Sequence, residues 1–96
     1  MKVIFLSPAD TELEDAINYY NDQLHGLGDQ FYDEFFVGID FIKKYPIAWQ
    51  KVGENTRRYI LKRFPYMVLY VAEEDRIIIT VIAHQHRHPD YYLKRS

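Results

Sequence analysis

The residues best equipped for chemistry lie in the last forty positions. The run Arg57-Arg58-Tyr59-Ile60-Leu61-Lys62-Arg63 is cationic, and His84-Gln85-His86-Arg87-His88-Pro89-Asp90-Tyr91-Tyr92 follows two strongly apolar segments. Guanidinium, ammonium, imidazole and phenol groups gathered in this way suit anion recognition. They also suit phosphodiester cleavage, in which a histidine titrating near neutrality moves a proton and arginine stabilises the developing charge. On that reading His84 and His86 are the acid–base candidates, Arg58, Lys62 and Arg87 hold charge, and Tyr91 assists. A metal reading is weaker. His84, His86 and His88 would share one face of a continuing strand, about 7 Å apart, but His88-Pro89 is expected to end that strand and no well-placed third ligand stands out. Neither a metal nor a cofactor is expected. The alternative role for the histidines is to hydrogen-bond the strand end to its loop. No Gly-rich phosphate loop, serine-histidine-acid pattern or paired-carboxylate motif is present.

Strands and helices must position these groups. Residues 57–64, 66–72 and 76–83 read as three strands, with turns at Pro65 and at Glu73-Glu74-Asp75. Alternation puts Arg57, Tyr59, Leu61 and Arg63 on one face of the first, and Arg58, Ile60, Lys62 and Phe64 on the other. With Tyr59 and Leu61 inward, Arg58 and Lys62 would project from the open face roughly 13 Å apart. The next two strands are apolar on both faces, which predicts cover on both sides.

The first half reads as a short strand over residues 2–6 followed by a helical hairpin. Ser7 is expected to cap the first helix, with Pro8 in its first turn. Ala9, Leu13, Ala16, Ile17, Tyr20 and Leu24 recur at three-and-four spacing. Gly26 and Gly28 interrupt the pattern as left-handed or flexible positions. Phe31, Phe35, Ile39 and Ile42 then continue it up to Tyr45-Pro46. The predicted fold is α+β, in the order strand-helix-helix-strand-strand-strand, with the hairpin on one face of a small, mainly antiparallel sheet. Trp49 lies in a connecting stretch. The many tyrosines and phenylalanines of the hairpin exceed what so small a core can hide, so some should line a groove for a protein partner.

Composition narrows the function classes. Ninety-six residues, 48% of them apolar and 27% charged, fit one globular domain spanning 1–96. Zero cysteines exclude disulfides and thiolate chemistry. No apolar run is long enough for a secretory signal or a membrane span, so a soluble, cytoplasmic protein without membrane partners is expected. The overall net charge of −2 hides an acidic first half, −6 over residues 1–50, and a basic second half, +4 over residues 51–96. Such a face can steer an acidic partner, although a pI near 6.0 is low for a dedicated nucleic-acid binder.

The segment from Arg57 to Tyr70, with its Phe64-Pro65-Tyr66 turn, and that from Ile82 to Tyr92 resemble the RelE/ParE superfamily of bacterial toxins. Ala16-Ile17-Asn18-Tyr19-Tyr20, Gly26 to Phe31 and Tyr45-Pro46-Ile47-Ala48-Trp49 fit the same pattern. The resemblance implies the toxin half of a type II toxin-antitoxin, or plasmid stabilisation, system. It also implies a cognate antitoxin whose acidic tail wraps the basic surface in a hetero-oligomer. RelE-like members are ribosome-dependent mRNA endoribonucleases, whereas ParE-like members inhibit DNA gyrase. Met67 stands where the nuclease branch commonly has an arginine, which favours the ParE-like branch. The resemblance implies a partner surface of Arg58, Lys62, Arg63, Met67, Arg87, Tyr91 and Tyr92. A ribosome-dependent nuclease, and an inactive member that only binds antitoxin, are the alternatives.

Overall fold

The computed structural model describes residues 1–95. Strand β1 (Lys2–Phe5) leads into helices α1 (Ala9–Gln23) and α2 (Leu27–Lys44). Strands β2 (Gln50–Lys51), β3 (Thr56–Ile60), β4 (Tyr66–Ala72) and β5 (Arg76–His84) follow, and two 3₁₀ turns end the chain. The sheet order is β1-β5-β4-β3-β2. Only β1 runs parallel to its neighbour, Val3 pairing with Ile77, and every other pair is antiparallel. The predicted α+β order therefore holds, with β2 as an additional two-residue edge strand. Two exposed polar residues carry no periodicity, so nothing in their sequence announced it.

The helical hairpin forms as its spacing predicts. Phe31, Phe35, Ile39 and Ile42 are buried on α2, and Ala9 and Ala16 on α1. Gly26 adopts the left-handed conformation, φ 88°, at the N-cap of α2. Gly28 is not a flexible link. It lies inside α2, donates its amide to Asn21 Oδ1 at 2.8 Å, and a Cβ there would lie 2.1 Å from the Ile17 carbonyl oxygen. The missing side chain is what lets the two helices cross closely. Ser7 does not cap α1. Pro8 holds the N-cap position, and the Ala9 amide donates to the Leu6 carbonyl at 2.8 Å. The backbone turn itself has taken the place of a side-chain cap.

Two cores result, of unequal size. On the helix side, Tyr20, Phe31, Phe64 and Tyr66 form an aromatic cluster, with Phe31 and Phe64 edge to face at 5.2 Å between ring centres. A fully buried ring such as Phe31 contributes roughly 1.5–3 kcal/mol by leaving water. On the other side Met67, Leu69, Val81 and Ala83 make a small cluster covered by Tyr92. The second cover that the doubly apolar strands demanded is thus partly supplied by the chain's own C-terminal tail.

The cationic strand is shorter than its sequence suggested. Pairing stops at Ile60, and the Leu61 amide donates to the Tyr66 carbonyl at 2.9 Å, so residues 61–65 turn between β3 and β4. Alternation fails there. Arg58 pairs with Leu69, on the face away from the helices as predicted. Lys62 does not join it, because its ammonium lies 5.4 Å from the centre of the Phe41 ring on α2. Phe64, expected beside Arg58, is buried among the helix-side aromatics.

Candidate functional site

Helix α1, the end of β5 and the C-terminal turns enclose a cleft of about 370 Å³. Helix α1 contributes Glu12, Asp15, Ala16 and Tyr19 to its lining, and Tyr66, Ile82, Ala83, His84, Arg87 and Tyr91 complete it. Of the sequence candidates, His84, Arg87 and Tyr91 meet here. Arg58 and Lys62 do not.

The cleft is built around a carboxylate that the sequence reading missed. Beyond Ile79 strand β5 has no β1 partner, which leaves the Ile82 amide and the Thr80 carbonyl on an open edge. Glu12 of α1 accepts from the Ile82 amide at 3.0 Å, and Arg95 donates to the Thr80 carbonyl at 2.7 Å. Arg95 also grips Glu12 through both terminal nitrogens, at 2.8 and 2.9 Å, and the Tyr91 hydroxyl donates to the same carboxylate at 2.5 Å. One buried acid therefore satisfies a strand edge, a guanidinium and a phenol. Burial alone raises the Glu12 carboxyl, but Arg95, the Ile82 amide and Tyr91 outweigh it and hold the pKa below its ordinary value. Tyr91 moves the other way. Its hydrogen bond to ionised Glu12, then burial, raise the phenol. A usable signal was present in the sequence: Glu12 falls on the apolar stripe of α1, three residues after Ala9 and four before Ala16, where an acid requires a cation.

Arg87 lies stacked on Tyr91, its guanidinium carbon 3.9 Å from the ring centre. Among the described residues it forms no salt bridge. Tyr66, across the cleft, has a phenol raised first by burial and then by Tyr19, with Arg87 and Asp15 pulling in opposite directions.

The three histidines do not continue along one strand face, because β5 ends at His84 and the chain turns there, the Arg87 amide donating to the His84 carbonyl at 2.9 Å. His84 Nδ1 accepts from the His86 amide at 3.1 Å, and His88 Nδ1 accepts from the Asp90 amide at 3.1 Å. Two of the rings thus tie the strand end to its loop. Among the described residues no group of three metal-ligating side chains is present, and no helix is long and apolar enough to cross a membrane.

The remaining candidates are scattered. Arg58 donates to Gln50 Oε1 at 2.6 Å across the β2–β3 edge. Arg63, in the hairpin turn, donates its amide and its Nε to Glu34 of α2 at 2.7 and 2.8 Å. Met67, expected at a partner surface, is 1% exposed and packed in the smaller core. Tyr92 packs against that core and remains partly exposed.

Residues 3–89 match the family described as ParE toxin of type II toxin-antitoxin system, parDE. The fold is similar to a solved chain of the chromosomal ParDE toxin-antitoxin system from P. aeruginosa, with a TM-score of 0.75 and 12% identity over 88% of this chain and 95% of that one. No curated protein sequence matches it. The match from β1 to Pro89 takes in every strand and both helices, and on it the chain belongs to the ParE toxin family of type II toxin-antitoxin systems.

Proposed function

We propose that this chain is a toxin that inhibits DNA gyrase by binding it, and that a cognate antitoxin neutralises it in a toxin-antitoxin hetero-oligomer. The observation that carries this reading is the family match over residues 3–89. Of the candidate nuclease residues, Arg58 and Lys62 lie away from the cleft that gathers His84, Arg87 and Tyr91, which supports a binding toxin over the ribosome-dependent nuclease. Arg58 is engaged at the sheet edge, and Lys62 lies over Phe41 on the helix side. His84 Nδ1 accepts the His86 amide, so that nitrogen is engaged in holding the turn after β5. At position 67 a buried methionine stands where nuclease-branch members commonly have an arginine.

Purified chain is expected to block supercoiling by gyrase at micromolar excess, and addition of the antitoxin to restore it. No inhibition at that excess overturns the gyrase reading. Toeprinting on translating ribosomes is the companion measurement, since codon-positioned mRNA ends that disappear in Arg87→Ala would establish the nuclease instead.

A further inference from the structure

The cleft between α1 and the end of β5 carries groups that the fold does not use. Glu12, Arg95 and the Tyr91 hydroxyl satisfy one another, so the deepest charges are internally neutralised. The lining also includes the Arg87 guanidinium and the Asp15 carboxylate, neither in a salt bridge among the described residues, together with the Tyr19 and Tyr66 rings. Stacking on Tyr91 restrains the Arg87 guanidinium, a planar group able to receive a carboxylate in a fork. Restricting the guanidinium beforehand lowers the ordering cost of binding.

We infer that this cleft seats a segment of a protein partner, with a carboxylate side chain on Arg87, an apolar side chain against the Tyr19 and Tyr66 rings, and a cationic side chain on Asp15. Charge complementarity selects the occupant. A nucleic-acid backbone brings a phosphate at every step and meets Asp15 as well as Arg87, so it gains one attraction and suffers one repulsion in the same cleft. A peptide with one acid and one base separated by an apolar residue matches both charges. In the toxin reading, on which this inference rests, the segment belongs to the antitoxin, and the cleft fixes its register on the toxin.

Two measurements test it. The first titrates the ¹⁵N-labelled full chain with the blocked peptides Ac-Glu-Leu-Lys-NH₂ and Ac-Gln-Leu-Lys-NH₂, and with inorganic phosphate. The Glu peptide is expected to shift the Tyr19, Tyr66 and Arg87 amides saturably in the millimolar range, with the Gln peptide at least about tenfold weaker and Arg87→Ala abolishing the difference. Equal response to both peptides, a phosphate response at the same amides as strong as that to the Glu peptide, or no saturable shift up to about 20 mM overturns the inference. The second measures calorimetrically the affinity of the full-length antitoxin encoded beside this chain. Arg87→Ala and Asp15→Lys should each weaken it about tenfold or more, with unchanged circular dichroism. Binding unaffected by either variant overturns the cleft and leaves the toxin reading standing. No binding to the unmodified chain overturns the toxin reading itself, while the peptide titration still decides whether the cleft takes a carboxylate.

Discussion

Two Arg–Glu pairs join a helix to a loop in this molecule, and they are built alike. At one end Glu12 of α1 takes a strand amide and Arg95; at the other, Glu34 of α2 takes the Arg63 amide and its Nε. Their surroundings differ. Glu12 and Arg95 are 8% and 20% exposed, whereas Glu34 and Arg63 are 15% and 66% exposed. A charge held away from water depends on its partner, while one in water is solvated with or without it, so similar contacts carry different weights. The first pair should be a structural necessity at the open edge of β5. The second should be a modest brace for the β3–β4 turn.

The largest expected effect comes from Glu12→Ala, which orphans the Ile82 amide, the Tyr91 hydroxyl and most of the Arg95 guanidinium. It should cost about 3 kcal/mol in denaturant unfolding, because losing one partner strands the other charge. A loss below about 1 kcal/mol would erase the contrast with Glu34. Acid sharpens the same point. The folded pKa of Glu12 lies below the ordinary 4.5 that applies to the unfolded chain. Its contribution is therefore complete above that value and lost as pH falls through the folded pKa. The stability gap between the unmodified chain and Glu12→Gln should accordingly narrow below pH 4.5, and a gap constant down to full protonation would contradict the assignment.

These two pairs also show where sequence reading reaches its limit. Phe31, Phe35, Ile39 and Ile42 announce the buried face of α2 because their spacing is local, and helices follow local periodicity. The partner of Glu12 lies 83 residues away, and no periodicity connects them; only the misfit of an acid on an apolar stripe hinted that one existed. The turn at 61–65 was hidden for a different reason. Lys62, Arg63 and Phe64 continue the alternation of β3 on paper, but Pro65 lacks the amide that a ladder needs, and burying Phe64 against Phe31 rewards a chain that turns early. Tyr92 as the lid of the smaller core was equally unreadable, since the doubly apolar β4 and β5 required a cover without specifying which segment supplied it. In the candidate site, Arg87, His84 and Tyr91 were legible as chemistry-bearing residues of one loop. Asp15 and Tyr19, which face them from α1, were not, because only the packing of α1 on β5 brings them there.

A smaller effect is expected at the other pair. Glu34→Ala removes the acceptor of the Arg63 amide as well as its Nε, and should cost about 1 kcal/mol, close to a typical net hydrogen bond. A loss matching that of Glu12→Ala would mean that neither burial nor donor number sets the weight of such pairs.

Arg63→Ala should be the mildest of the set. The side chain is 66% exposed, its positive charge is solvated whether or not Glu34 is near, and the Arg63 amide still donates to Glu34 after the truncation. The expected cost is about 0.5 kcal/mol or less, shrinking further at 1 M salt as the exposed charges are screened. The comparison is direct because Arg63→Ala and Arg95→Ala delete the same guanidinium from the same kind of carboxylate. If Arg95→Ala is costly at every salt concentration while Arg63→Ala is nearly silent, burial decides between them. A costly, salt-insensitive Arg63→Ala would instead mean that the turn between β3 and β4 depends on its arginine as much as the edge of β5 depends on Arg95.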